Sequence, residues 1–381
     1  MIQKFKSTGI LFYLLCFFLL FLLVGCQSEK ETGIQPIQKH SQSLHKAAIP
    51  HSFLLNEVQA PVPIQKGQFN SINGWLNNDT IIYMTNVELG TNIYTYNIFT
   101  GETHLILESE APVSSVMASP SGNQVLIHSA PNSYEGIISI VDTKGKEILN
   151  KRISAFEIHF EWNPYDEEKI LISSFTEGWD YSVYLLSIKD KTLDEIENKE
   201  PFVYWFAKDE IIYLNWSQND LSLFAPLVKR NINEPNEKFL LNEIYYIKTV
   251  KDLLMTITVN PENSNEAEYT FFSKELERLA SISVPHLTRF SDWLVPYFDF
   301  DQNHRFISLQ PLFSTDADTY TNGFQLISFD IVNGDKKVII DNMKNEPLSC
   351  APSGDKCLYG FYFEKLINLE TKTIIPLVKD Y

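Results

Sequence analysis

The sequence predicts an all-β fold, a β-propeller of four-stranded blades. Three observations carry that prediction: a turn that recurs at near-constant spacing, four short β-rich runs in each repeat, and almost no helical periodicity. The turn is clearest in MASPSGNQVLIHS (117–129) and CAPSGDKCLYGF (350–361), and FEWNPYDEEKILISS (160–174) keeps the design with Pro164 in the turn. Degenerate copies are GWLNNDTIIYMT (74–85), YWFAKDEIIYLNW (204–216), IKTVKDLLMTITV (247–259) and FDFDQNHRFISLQ (298–310). Aligned at Asn78, Ser121, Tyr165, Lys208, Lys251, Gln302 and Ser353, the turns are 43, 44, 43, 43, 51 and 51 residues apart.

Each turn is followed by the same programme. In the second unit it reads VLIHS, a loop, GIISIVD, the turn TKGKE and EILNK. In the sixth it reads FISLQ, FQLISFD, NGDKK and VIID. Runs of Ile, Val, Tyr, Phe and Thr bounded by Gly, Asn, Asp and Pro are strands. Four of them in about 43 residues is the signature of a propeller blade, which buries its faces only by stacking on neighbours. We count seven units, the last from about Glu346 to Lys379, with six blades as the alternative because the fourth and fifth copies are weak. The segment Phe53–Ile64 either adds a strand or leads into the ring, and SKELERLAS (273–281) is the one stretch with a helical pattern. Trp75, Trp162 and Trp205 each fall three places before their turns. A large ring at one fixed place is expected to fill the wedge between blades, with ligand stacking as the alternative.

The amino terminus sets the location. Lys4 and Lys6 precede an apolar run from Ile10 to Val24, 15 residues long. That is about 22 Å of helix, short of the roughly 30 Å of a bilayer core and suited to a secretory signal. It ends in Leu23-Val24-Gly25-Cys26, which resembles the lipobox of bacterial lipoproteins. The resemblance implies cleavage between Gly25 and Cys26 and a diacylglycerol thioether on Cys26. Two acyl chains hold a protein where one is marginal. The alternative is an uncleaved signal anchor. The expected organisation is a signal peptide at 1–25, lipidated cysteine and polar tether at 26–51, and the propeller at 52–381, on the outer side of the cell membrane.

The chain carries 48 acidic and 31 basic residues, a formal charge of −17 that becomes −19 once Lys4 and Lys6 leave with the signal. That excess repels phosphate backbones and argues against nucleic-acid binding. The tether is rich in Gln, Ser, Lys, Glu and His, the composition of a flexible spacer. His40, His45 and His51, and the pattern Ser43-Leu44-His45-Lys46, fall within it and are read as linker residues. Cys350 and Cys357 flank a turn and would face each other across a hairpin, either as a disulfide in an oxidising compartment or as two free thiols.

No GxSxG elbow, HExxH, P-loop or GxGxxG is present. Asp299-Phe300-Asp301-Gln302-Asn303 has calcium-like oxygen spacing but lacks the Gly and closing Glu of an EF-hand loop. It is read as a solvated turn, and no metal or cofactor is expected. The loops between second and third strands share one face of a propeller. They hold Glu88, Glu135, Glu177, Asp180, Asp220, Glu262, Glu266, Glu268, Asp316 and Asp318 with no Lys or Arg, interleaved with Tyr134, Trp179, Tyr181 and Tyr320. Turns between third and fourth strands carry Lys144, Lys146, Lys189, Lys191, Lys336, Lys337 and Lys372 on the opposite face. The expected molecule is polarised. Glu135, Glu177, Trp179, Asp180, Tyr181, Asp316 and Asp318 mark a candidate face for a cationic or sugar-like ligand or an envelope protein, with ordinary loop solubility as the alternative.

The turn Ser-Pro-Ser-Gly resembles the Ser-Pro-Asp-Gly repeat of the TolB and dipeptidyl-peptidase propellers, with Ser in place of Asp. Lipobox, polar tether and a Phe- and Tyr-rich propeller together resemble the YqgU-like lipoproteins of Bacillus-type bacteria. That resemblance implies a cell-surface propeller and carries over no catalytic residues. The expected role is a binding or scaffolding module, with a hydrolase or lyase acting on a sugar or peptide at the channel mouth as the alternative. Polar residues converging from three or more first strands would favour the enzyme.

Overall fold

The computed structural model describes residues 57–216, 222–289 and 292–379. Gly25, Cys26, the tether and Asp220 lie outside the described residues. Within them the chain forms seven four-stranded antiparallel sheets, spanning 68–109, 113–154, 157–196, 204–244, 246–285, 298–343 and 348–376. We number these blades 1 to 7. Every one of the seven aligned turns joins the first strand of a blade to its second.

The order of blades is fixed by the core. Seven apolar clusters are present among the described residues, and each belongs to two consecutive blades. Ile82, Met84 and Ile93 of blade 1 pack with Val116, Val125 and Ile127 of blade 2. The series continues round to Tyr359 and Ile367 of blade 7, which pack with Ile307 and Leu326 of blade 6. The last cluster joins Leu358, Leu366 and Leu377 of blade 7 to Ile72, Ile81 and Tyr83 of blade 1, and so closes the ring. A strand that alternates its side chains sends one set to each neighbour, so the second strands of these blades are buried at nearly every position rather than at every other one.

Closure is stitched by hydrogen bonds across the chain's ends. The Trp75 indole N–H donates to Ser349 O at 2.8 Å, and Ser353 N–H to Asn78 Oδ1 at 2.7 Å. Among the described residues, the segment before blade 1 adds no strand. It staples the seam instead: Gln59 N–H donates to Ile98 O (2.7 Å) on blade 1, and Val62 N–H to Leu377 O (2.8 Å) on blade 7.

All three tryptophans of the register pack into the wedges between blades, and two of them also bond the preceding blade. Trp205 is 1% exposed, and its indole N–H donates to Glu161 O of the preceding blade at 3.0 Å. Ser349 and Glu161 occupy equivalent places, four residues before their turns, so Trp75 and Trp205 make the same inter-blade bond. Trp162 is buried too, but its N–H turns back to Glu167 O at 2.8 Å in its own blade.

The turn glycine also acts between blades. Gly122 has φ +71°, and a Cβ there would fall 2.0 Å from Leu76 O of blade 1. Gly354, at φ +69°, meets the Asp301 carboxylate and Arg305 of blade 6 in the same way. Only glycine both adopts this backbone and admits the neighbour.

The two long steps have one cause. The connection from blade 5 to blade 6 folds into a hairpin, Leu287–Arg289 with Asp292–Leu294, and Thr315–Asp316 from a long loop of blade 6 pairs with it in parallel. This small sheet was not foreseen. The helical expectation at 273–281 is corrected: the segment is a tight turn between the strands Glu266–Ser273 and Arg278–Pro285, with Leu276 at φ +65°. The solvated-turn reading of 299–303 is corrected as well. The Asp301 side chain is fully buried and accepts from Arg305 Nε at 2.6 Å, and Asp299 accepts the Cys350 N–H at 2.7 Å.

Candidate functional site

The loops between second and third strands, with the connections between blades, form one face. Glu135, Glu177, Trp179, Asp180 and Tyr181 come together there at blades 2 and 3, where the Tyr134 hydroxyl donates to Glu177 Oε2 at 3.2 Å. Trp179 is 64% exposed at a turn with φ +67°, edge-on to Phe175 with centroids 6.0 Å apart. Asp316 and Asp318 lie three blades further round, where Asp316 Oδ1 accepts the Asp318 N–H at 2.9 Å.

The polarity expected from the loops is weaker than the loops suggest. Strand ends bring cations onto the acidic face, Lys66 to Glu108 at 3.2 Å and Arg152 to Glu135, while Arg278, at the start of a fourth strand, reaches Glu268 along the blade at 2.5 Å. On the other face the first-to-second-strand turns place acids beside the lysines, as in Lys169 with Asp209 (2.5 Å) and Lys208 with Asp166 (3.6 Å). The turns that carry these acids were left out of the expected charge pattern.

A more specific feature opens on the acidic face between blades 4 and 5. It is a cleft of about 230 Å³ lined chiefly by Phe202, Tyr204, Trp216, Tyr245, Tyr246 and Glu200. Its aromatics arise at one repeated place. Phe202 and Tyr245 lie just before the first strands Tyr204–Ala207 and Tyr246–Val250, and Tyr204 and Tyr246 begin those strands. Trp216 follows the end of the second strand of blade 4. The inserted hairpin braces the cleft. The Tyr245 hydroxyl, with one proton to give, stands against the Asp292 carboxylate and 2.8 Å from Trp293 O, and its ring lies 4.9 Å from that of Trp293. Burial, and then the bond to Asp292, push the Tyr245 hydroxyl up to about 12. Glu200 Oε1 accepts the Trp216 N–H at 2.9 Å, and burial raises its carboxyl above the usual range.

Towards the ring's axis, first strands of four blades bring titratable groups together. Glu161 and His159 come from blade 3, Tyr204 from blade 4, Tyr246 and Lys248 from blade 5, and Asp299 from blade 6. Lys248 Nζ lies over the Tyr204 ring, 5.9 Å from its centroid. Burial raises the Glu161 carboxyl, and the Lys248 charge opposes the rise. Asp299 is pushed up to about 6 by burial, against its bonds from the Cys350 and Phe300 N–H groups and the Lys248 charge. The His159 imidazole is pushed down by burial and then by Lys248. Among the described residues, Glu161, Glu200 and Lys248 close no direct salt bridge, and the Lys248 charge acts on Glu161 and Asp299 from a distance.

This arrangement can hold a small ligand between aromatic faces, with carboxylates at its side. Among the described residues, no cluster of three or more metal-ligating side chains is present. Sequence reasoning missed the cleft. Its signal was the aromatic residue on each side of a first-strand start, at 202 and 204 and at 245 and 246, which reads in a single sequence as strand composition. Near the Asp299 wall, Cys350 and Cys357 pair directly across the first two strands of blade 7, with sulfurs 1.98 Å apart.

Residues 97–360 match the family described as the YqgU-like 6-bladed beta propeller domain. The chain belongs to this family. The matched span holds blades 2 to 6 whole and parts of blades 1 and 7; the description counts six blades, and seven four-stranded sheets stand among the described residues. The chain is 23% identical over 365 residues to the uncharacterized lipoprotein YqgU of Bacillus subtilis, covering 96% of this chain and 97% of that one. It is 22% identical over 243 residues to the Tol-Pal system protein TolB of Wolinella succinogenes, covering 62% of this chain and 54% of TolB. The crystal structure of the uncharacterized protein lmo1340 from Listeria monocytogenes superposes with a TM-score of 0.78 at 24% identity, covering 85% of this chain and 98% of that one.

Proposed function

We propose that the protein is an exported lipoprotein, held on the outer side of the cell membrane by an acylated Cys26, whose propeller is a binding module. Its ligand seat is the cleft between blades 4 and 5. Support for the anchor comes from the four residues Leu23-Val24-Gly25-Cys26 and from the near full-length likeness to a protein named as a lipoprotein. Support for the seat is one observation: five aromatic residues and Glu200 gather on a single cleft of about 230 Å³. Sites for drug-sized ligands run from roughly 300 to 1,000 Å³, so the seat suits a ligand of few heavy atoms. Glu135, Glu177, Trp179, Asp180, Tyr181, Asp316 and Asp318 form the rim that a larger envelope partner would meet.

One observation favours a second reading. Glu161, Lys248 and Asp299 converge from the first strands of three blades, the pattern that a hydrolase or lyase at the channel mouth would need. The binding reading is tested by native mass spectrometry of the protein extracted from its own membranes. A small adduct is expected on the wild type and absent from Tyr245→Ala. An adduct that survives this change, or turnover of that molecule by the wild type, would displace the binding reading.

A further inference from the structure

We propose that the ligand of the blade 4–5 cleft is a small organic ammonium ion, held by aromatic faces and by Glu200. This rests on the cleft being the ligand seat. A sugar also stacks on aromatic rings, and the charges of the site separate the two chemistries. Phe202, Tyr204, Trp216, Tyr245 and Tyr246 present ring faces and edges to one small volume. Ring faces attract cations by their quadrupole, and desolvation strengthens the attraction. Tyr204 already has an ammonium over its ring, that of Lys248 at 5.9 Å.

The carboxylate of the cleft points to the same ligand. Glu200 takes one backbone N–H and, among the described residues, has no counter-ion, so its charge is uncompensated at the cleft wall. Glu161 lies beside Tyr204 outside the cleft lining, where the Lys248 charge already favours its ionised form. A buried carboxylate without a partner is costly and gains most from an arriving cation. Lys248, over the Tyr204 ring, is an opposing charge beside the cleft, and it gives the proposal a sharp signature. A cationic ligand is repelled by Lys248, a neutral one is indifferent to it, and an anionic one is drawn to it.

The test uses the full lipoprotein in detergent micelles, titrated calorimetrically at constant ionic strength. The probes are choline chloride and its neutral isostere 3,3-dimethylbutan-1-ol. Choline is expected to bind at least tenfold tighter than the isostere. Glu200→Gln should weaken choline about tenfold or more, and Lys248→Met should tighten it several-fold, with both variants melting within a few degrees of the wild type. Equal binding of the two probes, or weaker choline binding by Lys248→Met, would overturn the ammonium assignment. If choline fails to bind while the native adduct still disappears in Tyr245→Ala, the cleft remains the seat and the ammonium class is wrong.

Discussion

Replacing Gly122 by alanine tests the ring's internal geometry. Two effects act on the variant. The first is local: φ is +71°, and a side chain in the left-handed region costs about 1–2 kcal/mol, offset in part by the lost freedom of the unfolded chain. The second is between blades. The new Cβ would stand 2.0 Å from Leu76 O, at least 1 Å inside the 3.0 Å limit that real Cβ contacts respect. Neither side yields easily, because Leu76 N–H donates to Thr80 O at 2.8 Å and Gly122 N–H to Ser119 O at 2.8 Å. Forcing extra volume into packed structure costs about 1–3 kcal/mol, so Gly122→Ala should lose about 2–4 kcal/mol in total. Gly334 is the matched control: its φ is +74°, and nothing lies within 4 Å of its Cβ position. Gly334→Ala should lose about 1 kcal/mol or less. Urea unfolding read by far-ultraviolet circular dichroism gives both numbers. Equal losses in the two variants would refute the inter-blade contact at Gly122.

Three further outcomes follow from the same structure. Trp205→Phe leaves Glu161 O without its donor in a buried wedge and should lower stability by about 2–4 kcal/mol, more than Trp75→Phe at its half-exposed site; thermal melts of the two variants check the order. Asp299 has its carboxyl pushed up to about 6 from an ordinary 3.8; between those values the folded state holds the proton more tightly than the unfolded chain, so the stability this group contributes below about pH 4 is lost as pH rises through about 6. Asp299→Asn should remove that fall, of the order of 2–3 kcal/mol, in a comparison of urea midpoints at pH 4.5 and 7. Reducing the Cys350–Cys357 bond, which closes a loop with a sequence separation of 7, should cost about 2 kcal/mol and leave the circular dichroism spectrum of the ring unchanged.

The repeat was legible because a blade cannot stand alone. The same buried strand and the same tight turn must recur wherever a neighbour is packed, and Ser119-Pro120-Ser121-Gly122 shows it: its glycine answers to Leu76 in the adjacent blade. The disulfide partners were legible for a local reason, since Cys350 and Cys357 are directly opposite residues of one hairpin. What escaped was set by contacts between distant segments. The hairpin at 287–294 pairs with residues from a loop of blade 6, and the cleft unites Phe202 with Tyr245. No local pattern announces either meeting. The charge polarity was overstated because lysine and aspartate come from different turns of the same face, as Lys169 and Asp209 do.

We propose that the ring is held outside the cell by an acylated Cys26, and one experiment tests this most directly. Cells grown with an alkyne-tagged fatty acid, then exposed intact to protease, measure both halves at once. The wild type should carry the tag and lose its propeller to the protease, while Cys26→Ser should carry none and leave the membrane fraction or keep its signal peptide. An untagged wild type, a tag that persists without Cys26, or a propeller that only lysed cells expose to protease would contradict the account.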